Sequence, residues 1–293
     1  MIGEACALGA AMCWSTSLIL FKRTDNVSPL GMNLFKNVVA VVLLVVTMLA
    51  LGKGLDLQRS QADWLRLIVS GVLGIAVADT LIFIALQRLG ASLLAVVDCA
   101  YAPTMVAVSV LALGEHVSPA FIFGGVLVVG GVLASVLEKP AGNRSTRDVV
   151  VGAAIGITGI VVMGLGVVLS KPIVERSDLV EVTLIRLVAG AAAQLLWIGF
   201  LPSQRGALAV LKPSPTWRTL VPAAVLSAYL SMLFWLAGFK WTTASRASVL
   251  NQMTTVFTIV LARIFLGEAL STRRMLGAGA AIAGVLVVLL AKT

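Results

Sequence analysis

Apolar residues run along this chain in stretches of about 20, each closed by charged residues or by proline and glycine. About 20 apolar residues are needed to span the hydrocarbon core of a bilayer as a helix, so each stretch predicts a transmembrane helix. The sequence therefore predicts an all-α integral membrane protein with ten transmembrane helices. The predicted spans are residues 3–21, 30–51, 64–86, 91–113, 120–137, 149–170, 180–201, 218–239, 247–266 and 273–291.

Composition supports this fold class. Hydrophobic residues make up 59% of the 293-residue chain and charged residues only 12%, about half of the charged share of a soluble domain. The net charge is +9, but the lysines and arginines lie mostly between the apolar stretches, where they anchor helix ends at lipid headgroups. We therefore expect a lipid bilayer around the protein and no nucleic-acid partner.

The second half of the chain repeats the first. A shift of 153 positions places Ala91-Ser92 on Ala244-Ser245 and Leu113-Gly114-Glu115 on Leu266-Gly267-Glu268. Such self-similarity indicates two copies of one structural unit.

The repeat predicts two units of five helices, residues 1–138 and 148–293. Because five is odd, the second unit would enter the membrane from the opposite side. Inverted repeats of this kind are common in secondary transporters, where exchanging the conformations of the two halves turns an outward-facing cavity inward. A duplication without mechanistic use is the alternative.

Three charged residues of the first half lie within predicted spans, at about the same depth. The second and fourth predicted helices begin, and the third ends, on the same side of the membrane, and at ~1.5 Å per residue Lys36, Asp79 and Asp98 each lie about 10 Å from that side. Ionisable groups inside a bilayer are costly and usually functional. One interpretation is a polar cavity in which Lys36 and the aspartates contact substrate or a coupling proton. The other is a structural Lys–Asp pair that holds three helices together.

The second half offers polar counterparts. Arg186 lies near the position equivalent to Lys36, and the shift of 153 places Asp98 on Asn251 and its neighbour on Gln252. These residues predict either substrate contacts near the repeat axis or hydrogen bonds between helices. Two aromatic residues, Trp14 and Tyr101, lie within spans and could line a cavity or simply pack. The candidate substrate-binding residues are thus Lys36, Asp79, Asp98, Tyr101, Arg186, Asn251, Gln252 and Trp14.

Signatures of enzymes, metals and cofactors do not occur in the sequence, which has a single histidine. We therefore expect no enzymatic activity, no metal and no cofactor. Glycines of the fifth and tenth predicted helices allow close helix contact, either within one molecule or in a dimer, so a monomer and a homodimer both fit.

Taken together, these features resemble the EamA-like family of the drug/metabolite transporter superfamily. The sequence departs from a frequent family pattern at Lys36-Asn37, where an arginine is often seen, whereas Arg186 keeps the arginine in the second half. The features that carry the resemblance are Trp14-Ser15-Thr16, residues 85–92, Pro103, Gly114-Glu115, Ala244-Ser245, Gly267-Glu268 and the glycine-bearing final helix.

The resemblance implies ten helices, a central cavity, alternating access, and peripheral packing of the fifth and tenth helices. It also implies a multi-pass protein of the cell (inner) membrane with cytoplasmic termini, although eleven Lys and Arg on the other side against eight on the terminal side lean the opposite way. The expected function is secondary transport, with export of a small-molecule substrate such as an amino acid, either proton-coupled or not. The alternatives are a passive facilitator of the same fold and a non-transporting accessory subunit.

Overall fold

A computed structural model describes residues 2–24, 26–101, 103–104, 119–137, 145–174, 176–241, 250–251, 253–268 and 271–290. Helices make up most of these residues, and no strand occurs among them. In the first half the helices are α1 (Ile2–Lys22), α2 (Pro29–Ala50), α3 (Gln61–Leu89), α4 (Ala91–Asp98) and α5 (Pro119–Val136). In the second half they are α6 (Thr146–Val174), α7 (Leu179–Phe200), α8 (Trp217–Ala224, Val225–Leu230 and Ser231–Trp241), α9 (Met253–Leu266) and α10 (Thr272–Leu290).

Of the helices in the described residues, α1, α2, α3, α6, α7 and α8 are long and apolar enough to cross a membrane. Shorter apolar stretches occur at Ile122–Val136, Met253–Leu266 and Met275–Val287. The predicted fold class is thus confirmed as all-helical with strongly apolar helices, and the count of ten spans stays a prediction. Much of the predicted fourth span, 91–113, lies outside the described residues.

The α-helical part of α4 is shorter than the predicted span. Its α-helix ends at Asp98, and the next amides, of Cys99 and Ala100, donate to carbonyls three residues back. Pro103 has no N–H to donate, so it removes a helical hydrogen bond in the following turn. The α-helix therefore ends a few residues before this proline.

Two long helices contain π-helical turns at positions related by the repeat. Val72–Ala78 is the π segment of α3, and Val225–Leu230 is the π segment of α8. The shift of 153 residues found in the sequence places Val72 on Val225. A π turn is rare and occurs often at functional sites, so its presence in both halves is a shared structural feature of the two units.

Repeat-related helices run antiparallel to each other where they touch. In the α2–α7 pair, Leu34 packs near Ile198 at one end, and Leu44 near Leu184 at the other. In the α5–α10 pair, a Cβ at Gly131 would meet the Gly277 carbonyl, whereas one at Gly284 would meet the Gly124 carbonyl.

Other helix pairs are also related by exchanging the two halves. This exchange turns the α1–α8 contact into the α6–α3 contact, because α6 is the counterpart of α1 and α3 is the counterpart of α8. Both contacts are extensive. A two-fold relation between the halves requires this pattern.

Glycines bring several of these helices close together. In the α5–α10 pair, the predicted internal role holds for Gly131, Gly277 and Gly284, where a Cβ would lie within 2.7 Å of a neighbouring atom. Other glycines that could serve a dimer, such as Gly125 and Gly130, have open space around them. The α5–α10 pair touches the rest of the described bundle mainly through α4 and α6.

Candidate functional site

The centre of the bundle holds an ion pair between α2 and α3. Lys36 Nζ contacts Asp79 Oδ2, and the two side chains are only 4% and 14% exposed. The same ammonium lies 5.7 Å from the centroid of the Phe83 ring, one turn further along α3. Two of the three charges that the sequence placed at one depth are therefore in direct contact, which neutralises both inside an apolar bundle.

A network of amide side chains lies beside this ion pair. Asn33 Nδ2 donates to the Ile75 carbonyl at 2.7 Å and to Thr80 Oγ1 at 3.0 Å. Asn37 Nδ2 donates to Gln194 Oε1 of α7 at 3.0 Å and to Asn33 Oδ1 at 3.2 Å. All four side chains are buried, so the network joins α2, α3 and α7 through hydrogen bonds that water does not weaken.

The network contacts the π segment of α3. A π turn departs from the regular α-helical ladder, and the Ile75 carbonyl within this segment accepts from Asn33 Nδ2. The sequence analysis missed Asn33, Thr80 and Gln194. Asn33 and Asn37 are four residues apart and therefore share one face of α2, a signal that could have identified that face as polar.

Arg186 enters the centre from α7. A Cβ at Gly71 of α3 would lie 2.3 Å from the Arg186 carbonyl, and one at Gly74 would lie 3.4 Å from Arg186 Nη2. Glycine on α3 thus makes room for this arginine. Its Nε is buried without a hydrogen-bond partner among the described residues, and the guanidinium interacts electrostatically with Asp79.

Asp98 lies in a different part of the bundle. It lines a cavity of about 10 Å³ together with Trp14 of α1 and Thr254 and Thr258 of α9. Such a volume holds roughly one water molecule. Thr258 Oγ1 is buried without a partner in the described residues.

The remaining candidates lie in the second half. Asn251, with its amide oriented to satisfy both groups, donates to the Ala7 carbonyl and accepts from Trp235 Nε1, each at 3.1 Å. It therefore bridges α1 and α8, which is the inter-helix bonding that the sequence analysis gave as an alternative. Gln252 lies outside the described residues. Substrate binding by any of these side chains stays a prediction.

Charged side chains also join the two halves at the end of the bundle where α2 finishes and α7 begins, which we call the ionic end. It is formed by the segment 51–63 and the segment 176–181. Arg59 Nη2 contacts Glu181 Oε1 at 2.9 Å, and these side chains are 4% and 7% exposed. Arg176 Nη2 contacts Asp63 Oδ2 at 2.6 Å.

Asp178 caps the first turn of α7 at the same end. Its Oδ1 accepts from the amides of Val180 and Glu181, and its Oδ2 contacts Lys53 Nζ. Partial burial opposes ionisation, but the Lys53 ammonium and the two amides outweigh it and hold the pKa of Asp178 below its usual range.

At the opposite end the corresponding segment follows α7. Pro202–Leu211 forms a 3₁₀ helix, where the sequence predicted only a link. Its Ala207 packs with Leu30, Leu34 and Ile198, and the Trp217 indole N–H donates to the Val210 carbonyl at 2.8 Å. We call this end of the bundle, where Pro202–Leu211 packs on the first turns of α2, the apolar end.

A second contact at the apolar end joins the two halves through a carboxylate. Glu268, at the end of α9, accepts from the amides of Ala91 and Ser92, each at 2.9 Å. It therefore caps the first turn of α4, where free amides and the helix dipole favour a negative charge. This contact uses residues of both sequence motifs that the repeat duplicates.

The long apolar helices and the charges enclosed between them define a multi-pass membrane protein. A family model described as the EamA-like transporter family matches residues 1–137 and 150–290. The chain belongs to the EamA-like transporter family, as the sequence resemblance predicted, and each half carries one match.

Among solved structures, the chain is similar to one described only as "Crystal structure of protein". The two share 19% sequence identity with a TM-score of 0.69, over 97% of this chain and 95% of the other. At this identity the likeness shows the fold alone. No curated protein matches the sequence significantly.

Membership of this family makes the protein a membrane transporter of the drug/metabolite superfamily. Within the described residues, no group of three or more His, Cys, Asp or Glu side chains could hold a metal ion.

Proposed function

We propose that this protein is a secondary transporter that exports small polar metabolites, such as amino acids, across the cell (inner) membrane by alternating access. The observation that carries the proposal is the cavity beside Asp98, because α1, α3 and α4 of one half and α9 of the other all line it. A site between inverted halves can be exposed to either side by exchanging their conformations.

The size of the cavity supports alternating access over an open channel. Room for about one water molecule is too little for a metabolite, so the helices around Asp98 must separate before a substrate enters. The polar side chains of α2, α3 and α7 supply further hydrogen-bonding groups inside the bundle, and transporter sites near the bilayer midplane use such groups.

The proposed topology has ten spans in two inverted units with both termini in the cytoplasm. The antiparallel contacts of α2 with α7 and of α5 with α10 support inversion, because repeats of equal orientation would place these partners parallel. Reporter fusions after the successive links test the topology. Reporters should alternate in location from each link to the next, and a terminal fusion outside the cytoplasm would contradict the orientation.

Efflux from proteoliposomes tests the function. Vesicles that contain the purified protein and a panel of labelled metabolites should release one or more of them faster than protein-free vesicles, and external unlabelled substrate should accelerate the exchange. Acceleration by a pH gradient would support proton coupling, whereas no response to the gradient would identify a passive facilitator. Failure of the whole panel to move would contradict transport and favour an accessory subunit.

Substitution of the central carboxylates should reduce this efflux. Asp79→Asn leaves Lys36 without its anionic partner in a buried site, and Asp98→Asn removes the charge beside the cavity. We expect losses of about tenfold or more, since charge-assisted contacts contribute roughly 1.5–3 kcal/mol. Asp148→Asn, in an exposed pair with Arg88, is the matched control and should leave efflux unchanged. Normal efflux and an unchanged pH profile in both central variants would contradict a role for these charges.

A further inference from the structure

The carboxylate of Asp98 has no counter-ion in the part of the chain that the structure describes. The other central aspartate, Asp79, is neutralised by Lys36, whereas none of the ion pairs between described residues includes Asp98. A charge inside a membrane-spanning bundle is costly unless it is paired or binds an ion. The space beside Asp98 is therefore a place where a cation would lower the free energy of the protein.

Two threonines of α9 face the same space. Thr254 and Thr258 line the cavity of about 10 Å³ together with Asp98. Thr258 is fully buried, and its Oγ1 has no hydrogen-bond partner among the described residues. A buried hydroxyl without a partner is costly, and its oxygen has lone pairs that can bind a cation. The hydroxyl of Thr258 is thus a second group that an occupant of the cavity would satisfy.

The break in α4 adds a further oxygen atom. The α-helix ends at Asp98, and the next amide, of Cys99, donates to the Val96 carbonyl. The Ala95 carbonyl is left with side-chain donors, Cys99 Sγ at 3.7 Å and Thr255 Oγ1 at 3.4 Å. Ala95 itself lines the cavity. Because the carbonyl end of a helix carries a partial negative charge, this end of α4 favours a cation.

We propose that the oxygens of Asp98, Thr254 and Thr258, together with the carbonyl end of α4, bind a sodium ion in this cavity. A carboxylate, hydroxyls and a carbonyl are the ligands that hard cations prefer. The single carboxylate neutralises one positive charge, whereas calcium takes about six to eight oxygens, and magnesium usually keeps several waters. A space for about one water molecule has no room for such a shell. A water molecule in place of the ion would satisfy Thr258 but leave the charge of Asp98 uncompensated.

The position of the site between the halves links the ion to conformational change. The cavity is lined by α1, α3 and α4 of the first half and by α9 of the second, so these helices must separate before the ion leaves. Carbonyl ends of interrupted helices hold coupling ions in the same way in other transporter folds. Binding of sodium is independent of the proposed function, whereas its coupling to efflux rests on that function.

Exchange of cations on the purified wild-type protein tests the site. Thermal unfolding is measured in mixtures of sodium chloride and choline chloride at one ionic strength and one pH, and again with potassium in place of sodium. We expect sodium to raise the unfolding temperature in a saturable way, because an ion that binds only the folded protein stabilises it. Potassium, which is larger, should act only at higher concentrations. Equal unfolding temperatures in all three salts would overturn the proposal.

Two variants that conserve side-chain shape assign the ligands. Asp98→Asn removes the charge and should weaken sodium binding by about tenfold or more, and Thr258→Val removes one oxygen and should weaken it by about fivefold. Thr183→Val, at a buried position of α7 that does not line the cavity, is the matched control and should leave sodium binding unchanged. Wild-type affinity for sodium in either ligand variant would overturn the assignment. If Asp98→Asn fails to fold, Thr258→Val and the cation comparison on the wild type decide.

The outcomes separate this inference from the proposed function. Metabolite efflux by a protein whose unfolding does not respond specifically to sodium would overturn the sodium site and leave the transporter intact. Specific stabilisation by sodium without efflux of any compound would overturn the proposed function and leave the site. Where both hold, a sodium gradient directed opposite to the efflux should accelerate it, and efflux that does not respond to this gradient would overturn the coupling.

Discussion

The two ends of the bundle use the same elements in opposite ways. At the ionic end, the link after α2 meets the first turn of α7 through charged pairs such as Arg59–Glu181. At the apolar end, the link after α7 meets the first turns of α2 through side chains such as Ala207 and Leu34. The repeat makes these contacts equivalents, so their chemistry has diverged while their geometry has been kept.

This difference teaches how the two ends should respond to solution conditions. Contacts between charges weaken with salt where they are exposed and depend on pH. Apolar contacts depend on buried area and are nearly indifferent to both. The opening of the ionic end should therefore depend on the protonation and the salt screening of a few charged side chains, whereas that of the apolar end should not.

The largest expected effect comes from separating the buried pair of the ionic end. Arg59→Gln leaves the Glu181 carboxylate buried without its cation, which should destabilise the protein by about 3–5 kcal/mol. Thermal or denaturant unfolding of the purified protein measures the loss. The double variant Arg59→Met with Glu181→Leu removes both charges and should recover much of the stability. If the single variant were as stable as the wild type, the pair would not hold this end.

A substitution in the apolar end should lower the stability of the protein by an amount that does not depend on salt. Leu34 is fully buried, so Leu34→Ala should cost about 2–5 kcal/mol through lost contacts and a cavity. The loss should be equal in low and high salt when measured by the same unfolding assay. A salt-dependent loss would show that the two ends do not differ in the way described.

A smaller effect is expected from the indole hydrogen bond of the apolar end. Trp217→Phe keeps an aromatic ring beside Phe35, whose centroid lies 5.2 Å from the indole, but removes the donor to the Val210 carbonyl. The expected cost is about 1 kcal/mol, again read from unfolding. Phe35→Leu, which removes the ring contact and keeps the hydrogen bond, is the matched variant. A Trp217→Phe protein as stable as the wild type would assign no net contribution to this bond.

The smallest effect concerns pH at the ionic end. Because the pKa of Asp178 is lower in the folded protein than in the unfolded chain, its contribution is present above the unfolded value of about 3.9 and is lost as the pH falls through the folded value. Asp178 and Lys53 are 37% and 42% exposed, so the contribution is at most about 1 kcal/mol.

Unfolding of Asp178→Asn against the wild type measures that contribution. The two curves should converge below pH 4 and separate modestly near pH 7. A difference in stability between the two proteins that grows as the pH falls would contradict this prediction.

Much of the fold could be predicted from the sequence because apolar length reports spans directly. The predicted 3–21 and 30–51 differ by one residue at each end from Ile2–Lys22 and Pro29–Ala50. The π segments could not be predicted, because Val72–Ala78 is an apolar run like any other and its register depends on neighbours such as Asn33. The order in Pro202–Leu211 was missed because proline and charged residues there suggested a plain link.

The candidate site could be predicted only in part. Depth along each helix correctly grouped Lys36 with Asp79, but it says nothing about rotation around the helix axis. For that reason the sequence could not distinguish Asp79, which contacts Lys36, from Asp98, which faces α1 and α9. The contacts of Asn37 come from the packing of α2 against α7, and those of Arg186 from the packing of α7 against α3, both of which depend on tertiary structure.

The central claim is that two inverted halves expose one polar centre alternately at the two ends. Distances between paired spin labels in proteoliposomes test it most directly, with labels at Leu57 and Lys171 for the ionic end and at Asn26 and Ser203 for the apolar end, in a protein whose native cysteines are replaced. On addition of a metabolite that the protein releases in the efflux assay, one distance should lengthen while the other shortens. Distances that lengthen together, or that both stay unchanged while efflux proceeds, would contradict it.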